Sequence, residues 1–495
     1  MLFNSLHFFI FFPVVFLVYF LISHRFRWLW LLVASSYFYM VFIPKYILVL
    51  FFIIVIDYFA GRMIEKSAGR KRKMYLLISI IANVGVLFLF KYFNFFNSNL
   101  ASLTNFLHWN YSPASLRFIL PIGLSFHTFQ AMSYTIEVYR DKHPAEKHFG
   151  IYALYVMFFP QLVAGPIERP QNLLSQLYLP KKFDYQQVVD GLKLMVWGLF
   201  KKVVIADRLA ILVNTVYNNV DSYSGFQFAI ATVCFAFQIY CDFSGYSDIA
   251  LGAAQTMGFR LMNNFQRPYF ASSIMDFWRR WHISLSSWFR DYVYIPLGGN
   301  QVSKLRSSLN VMIIFLASGL WHGANWTFVV WGLLHGFYII LSRWTINFRR
   351  WMVRKIKLNK HPRLHHFEQI LVTFILVCFS WIFFRAEDLN QAFKIISKML
   401  IGFRQFIVGL LTADGKMWSS LFEGPELGLS RGGLFVATLS VAFLIWVQYI
   451  QRNTDIRDML RCRPTWQRWS LYYLVIIIIA FFGVFDEVPF IYFQF

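Results

Sequence analysis

Long apolar runs recur from one end of this chain to the other, and that pattern leaves few folds open. They include Phe8–Ile22, Tyr46–Ile56, Tyr75–Phe90, Phe226–Ile239, Ile370–Phe384 and Leu471–Val484. With their flanking aromatics, each approaches the roughly 20 residues that cross a bilayer as a helix. One soluble core cannot bury so many, so the sequence predicts a polytopic, all-α membrane protein. Composition agrees: 14% of residues are charged, against roughly 25% in soluble domains. The first run is expected to stay in the protein as a span. No basic residue precedes it, the positive charge follows at Arg25 and Arg27, and no small-residue cleavage site comes after it.

The net charge of +23 would suggest a nucleic-acid partner in a soluble protein. Here the spans hold few bases, the charge falls in loops, and the positive-inside rule is the better reading. Basic clusters at Arg70–Lys73, Arg349–Lys357 and Arg452–Arg468 are placed in the cytoplasm, with the lipid bilayer as the first partner. The loop His24–Arg27 is then inside and the N-terminus outside the cytoplasm. About thirteen apolar candidates are present. Five lie between the inside loops Arg140–His148 and Arg349–Arg363, where the number of crossings must be even. One is therefore re-entrant, and Ile151–Val163, short and broken by Pro160, is the first choice. The expected architecture is about 11–12 spanning helices with re-entrant or interfacial helices, over residues 1–495 as one membrane domain. Cys234, Cys241, Cys378 and Cys462 show no metal-ligand or disulfide pattern.

Four segments carry candidate chemistry. In Asp276–Asn300, helical spacing groups Trp278, Trp281, His282, Leu285 and Ser286 on one aromatic face. Arg279 and Arg280 flank it, free to meet phosphate or to pair with Asp276. The bland alternative is an interfacial helix with snorkelling arginines. In Ser318–Gly336, His322 lies inside an apolar run between Gly319 and Gly323. Intramembrane histidines are rare and commonly face a cavity, and the glycines permit close approach of a neighbouring helix or a ligand. His335, thirteen residues on, would turn away from His322 on a continuous helix and reads as structural. Asp242 and Asp248 read as partners for the basic residues of Asp276–Arg290, or as helix caps. Glu168 and Arg169, among three prolines, read as a turn or a local ion pair. No GxSxG, P-loop or HExxH motif occurs.

Taken in order, these segments resemble the membrane-bound O-acyltransferase family, in its bacterial branch containing the alginate O-acetylation protein. The resemblance covers nearly the whole chain, with its motif core at residues 121–345. It rests on PIGLSFHTFQAMSYTIEVYR (Pro121–Arg140), FFPQLVAGPIERP (Phe158–Pro170), GLFKKVVIADRLA (Gly198–Ala210), CDFSGYSDIALG, FWRRWHISLSSWFRDYVYIPLGGN, GLWHGANWTFVVWGLLHG and the closing PFIYFQF. It implies a ring of spans around a central cavity. It implies His322 as the catalytic histidine and His282 as the second characteristic polar residue, with Trp278, Arg279 and Arg280 toward the acyl donor. The implied donor is a cytosolic thioester, most simply acetyl-CoA, with an acyl carrier protein as the alternative, and no metal is required. The implied acceptor is a hydroxyl of an extracytoplasmic polysaccharide, reached through a separate acetyltransferase partner. Related activities are peptidoglycan O-acetylation and teichoic-acid D-alanylation. A transporter or flippase is the rival from another class, against which stands the lack of an inverted repeat.

Overall fold

The computed structural model describes residues 1–109, 111, 116, 120–412, 427–452, 459, 462–485 and 490–491. The middle of the basic run Arg452–Arg468 and most of PFIYFQF lie outside these residues. Among the described residues all regular structure is helical and no strand is present. The α-helices run in the order α1 (Leu6–Leu21), α2 (His24–Met40), α3 (Ile47–Lys66), α4 (Gly69–Leu87), α5 (Phe93–Phe106), α6 (Leu124–Tyr139), α7 (Phe149–Met157), α8 (Phe159–Leu162), α9 (Pro170–Tyr178) and α10 (Tyr185–Leu199). They continue with α11 (Asp207–Tyr217), α12 (Gly225–Thr256), α13 (Ile274–Arg280), α14 (Ile283–Phe289), α15 (Lys304–His322), α16 (Trp326–Trp344), α17 (Ile346–Lys355), α18 (Pro362–Arg385), α19 (Leu389–Thr412), α20 (Arg431–Ile450) and α21 (Thr465–Phe482).

Six helical stretches among the described residues are long and apolar enough to cross a membrane: Pro44–Lys66, Gly69–Phe106, Gly225–Thr256, Pro362–Arg385, Arg431–Ile450 and Thr465–Phe482. A seventh arises if α16 and α17, bent by 64°, count together. Other apolar runs form shorter helices, such as the 16 residues of α1. On α21, Leu474, Ile476 and Ile477 are half exposed. Lipid tails are the natural cover for such a surface.

The chain sorts into two compact units. The first comprises Met1–Gly198 and Tyr246–Asn263. In it, α3, α4 and α6 share a buried polar knot. The Asp57 carboxylate accepts from Ser79 Oγ at 2.5 Å and from Asn83 Nδ2 at 2.8 Å, and Ser79 in turn meets Thr135 Oγ1 at 2.9 Å. Polar side chains at membrane depth find such partners on adjacent helices. Ile53, Leu87, Leu124 and Ala131 pack beside it.

The segment expected to be re-entrant folds as α7, a break at Phe158, and the single turn α8 carrying Pro160. Nine residues of α7 rise about 14 Å, under half of the ~30 Å hydrocarbon core. Every residue from Gly150 to Glu168 is buried, so this short, broken segment is enclosed by protein. Glu168 and Arg169 make more than a turn: the Glu168 carboxylate accepts from Asn172 Nδ2 at 2.6 Å and from the Met262 amide at 2.5 Å, while Arg169 donates to Ser133 Oγ at 3.2 Å.

The second unit comprises Leu199–Gly245 and Asn264–Ile491. It opens with a π-helical stretch, Phe200–Ala206, that feeds α11. Lys202 there lies between Asp207 Oδ1 at 2.8 Å and Asp242 Oδ1 at 2.7 Å, with all three side chains at most 5% exposed. Asp242 Oδ2 also accepts from the Ile491 amide at 2.8 Å. The partner of Asp242 is therefore a lysine of the GLFKKVV segment, not the basic residues of Asp276–Arg290. Pairing across some forty residues is decided by packing, which local spacing does not encode. Helices α15 and α16 form an antiparallel hairpin so close that a Cβ on Gly319 would lie 2.3 Å from the Phe328 carbonyl oxygen, and one on Gly332 2.2 Å from that of Phe315. Gly319 thus serves helix contact, the first of the two roles open to it.

Candidate functional site

The stretch from Asp276 begins as a helix because Ser273 caps it, its hydroxyl accepting from the Asp276 amide at 3.1 Å. The expected continuous aromatic face does not form. Helix α13 ends at Arg280, His282 takes a left-handed backbone at φ 42°, and α14 starts at Ile283. A crossing segment supplies the reason: the Gln266 amide donates to the Arg280 carbonyl and the Ile283 amide to the Asn264 carbonyl, each at 2.9 Å. Ser284 Oγ adds a bond to Asn264 Oδ1 at 2.6 Å. A left-handed conformation is uncommon for any residue with a Cβ, and strain of this kind clusters at functional sites.

The break carries His282 into the interior, where it is fully buried. Its ring meets Phe243 edge-on at 4.7 Å and the Trp321 indole at 5.9 Å. His282 lies outside the membrane-spanning helices. Desolvation pulls its pKa down to about 3, so the imidazole is neutral at physiological pH.

His322 closes α15. The chain then turns at Gly323 and restarts at α16, where Asn325 Oδ1 accepts from the Thr327 amide at 3.0 Å. The His322 ring lies 4.9 Å from Trp321, 4.9 Å from Trp331 and 5.3 Å from Phe384, all near edge-on. It keeps 3% of its surface exposed. Trp321 thus touches both imidazoles, and the two histidines singled out in sequence share one aromatic enclosure.

Trp278 joins this enclosure: its ring lies 5.7 Å from Trp331, and its Nε1 donates to His335 Nδ1 at 3.2 Å. That bond puts the proton of neutral His335 on Nε2. Arg280 pairs with Asp276 at 2.9 Å, and Arg279 is exposed. His335 is where sequence reasoning misplaced a residue. The break after His322 folds α16 back, so that Trp331, one turn before His335 and 5.1 Å from it, packs against the His322 ring. The signal was present: Gly323 followed by Asn325 reads as a helix end and a fresh N-cap. Phe243 carried no comparable signal, and Asp242, singled out in sequence, was not matched there to Lys202.

The enclosure therefore offers three buried imidazoles, His282, His322 and His335, and a wall of indoles, a setting for proton transfer shielded from water. The sequence profile of the membrane-bound O-acyltransferase family matches residues 16–384. The chain belongs to that family. It is 38% identical to the probable alginate O-acetylase AlgI of Pseudomonas aeruginosa over 89% of this chain and 80% of that protein. It is 36% identical to the peptidoglycan O-acetyltransferase of Helicobacter pylori, over 81% of this chain and 80% of the relative. Similarity extends, at 29% identity over 48% of this chain and 59% of the relative, to the teichoic acid D-alanyltransferase of Streptococcus thermophilus. This membrane-bound O-acyltransferase is accordingly a multi-pass membrane enzyme using an acyl donor.

Proposed function

We propose that this enzyme moves an acetyl group from cytosolic acetyl-CoA to a hydroxyl for O-acetylation of an extracytoplasmic polysaccharide of the alginate type. The observation that carries the reading is the pair of buried imidazoles, His282 and His322, meeting on one indole in a chain similar to two acetyl-transferring relatives. His322 takes the proton of the acceptor hydroxyl as its oxygen attacks the thioester carbonyl carbon. The C–S bond then breaks, and His322 returns the proton to the leaving thiolate. Neutral His282 supplies an N–H to the oxyanion that forms between these steps. Arg279 and Arg280, with Trp278, face the donor, and exposed Arg279 is the one of the two arginines without an intrahelical carboxylate partner in this geometry. A separate acetyltransferase outside the membrane carries the group onward to the polymer, and an acyl carrier protein is the alternative donor. The enzyme lies in the cytoplasmic membrane with its N-terminus outside, as the basic loops require.

Comparing surface polymer from cells with and without the protein tests the whole reading. Ester-linked acetate should disappear with the protein and return with the wild-type copy; unchanged acetate would refute polysaccharide acetylation. At residue level, His282→Ala should lower turnover roughly 10²-fold, the typical loss on removing one oxyanion donor. Because alanine resists a left-handed backbone, His282→Asn is the companion variant, since asparagine tolerates it. Normal turnover in both would leave His282 a structural residue.

A further inference from the structure

Helix α17 departs from the end of α16 at 64°, and none of its residues is buried. Its ten residues rise about 15 Å, too little to cross a bilayer. Plotted at 100° per residue, Ile346, Phe348, Met352, Val353 and Ile356 share one arc, and Arg350, Arg354 and Lys355 hold the other. Phe348, Met352 and Ile356 are 58%, 43% and 62% exposed. Arg349 falls within the apolar arc, but its guanidinium turns back to donate to the Ser342 carbonyl at 2.6 Å and the Ser342 hydroxyl at 2.9 Å. Trp351 falls inside the cationic arc, between Arg354 and Lys355, and carries the Lys355 ammonium over its ring at 4.8 Å. From Arg343 to Phe367 the chain has eight basic residues and no acidic one.

A helix apolar on one side, cationic on the other and bent off the axis of its neighbour has the build of an in-plane interfacial helix. The charge decides the kind of surface. With no carboxylate in the stretch to neutralise it, the cationic arc needs an external sheet of anions, which acidic phospholipids provide. We propose that α17 and the basic run after it form a binding surface for anionic phospholipid headgroups. The apolar arc sinks to the acyl boundary, and Arg350, Arg354 and Lys355 reach the phosphates. This surface is independent of which acyl group or acceptor the enzyme uses.

The test uses the full chain reconstituted in phosphatidylcholine vesicles with and without phosphatidylglycerol, then extracted gently, with retained lipid counted by native mass spectrometry. The wild type should retain phosphatidylglycerol in preference to phosphatidylcholine, and added salt should erode the preference. Each basic side chain near an anionic surface contributes roughly fivefold in affinity. The variant R350Q/R354Q/K355Q should therefore lose at least about tenfold of the preference, with its melting temperature in phosphatidylcholine alone unchanged. If that variant does not fold, Arg354→Gln alone should show a roughly fivefold loss. Undiminished phosphatidylglycerol retention in the folded variants overturns the proposal. So does equal retention by both proteins combined with an acidic carrier protein that binds only the wild type, which would assign the surface to a protein partner.

Discussion

His322→Ala should abolish most acyl transfer in a protein that still folds and inserts. A positioned general base contributes roughly 10²–10⁴-fold, and the loss should fall in that range for turnover measured on purified protein. The substitution removes a ring enclosed by Trp321, Trp331 and Phe384, so some stability is lost to the cavity. His322→Gln, which refills most of the volume without a comparable base, separates the two effects. Both variants should be nearly inactive, with the glutamine form melting closer to wild type. Wild-type turnover in a folded His322→Ala protein would remove the histidine from the mechanism.

The second large effect is on stability. Lys202→Met leaves Asp207 and Asp242 buried without the cation that lies within 2.8 Å of each. Breaking a buried pair by removing one partner costs about 3–5 kcal/mol, a large part of the roughly 5–15 kcal/mol that holds a typical domain together. Thermal unfolding in detergent should show a marked drop, and the yield of folded protein should fall with it. The triple variant K202M/D207N/D242N, in which no charge is stranded, should recover most of the loss. A Lys202→Met protein that melts with the wild type would mean that water or another group already screens these carboxylates.

The residue pattern exposed the all-helical membrane class, because hydropathy over 15 to 20 residues is a local property that no tertiary contact overrides. Pro160 and the shortness of its apolar run likewise marked a segment that ends up enclosed. His282 and His322 were legible through the motifs around them. Their geometry was not. The backbone reversal at His282 depends on amides of Gln266 and Ile283 meeting carbonyls of Arg280 and Asn264, and nothing in WRRWHISL foretells that crossing. The return of α16, with Trp331 and His335, toward His322 was hidden by reading Ser318–Gly336 as one helix, although the Gly323–Asn325 punctuation was there. Asp242 was expected to find its cation in the wrong segment, since side chains some forty residues apart meet only once the helices have packed.

The π-helical stretch Phe200–Ala206 has a bearing on how this part of the chain can vary. A π-bulge holds one more residue per turn than an ordinary helix. A π-bulge absorbs its extra residue locally, so deleting one residue there would relax the stretch to α geometry and leave α11 close to its present phase. The ion pair is the part that depends on the bulge: Lys202 and Asp207 stand five positions apart, a spacing that shares a face on a π-helix but diverges by about 140° on an α-helix. Relaxation that keeps that spacing would swing Asp207 off the Lys202 ammonium, so the widened turn is what holds the pair together.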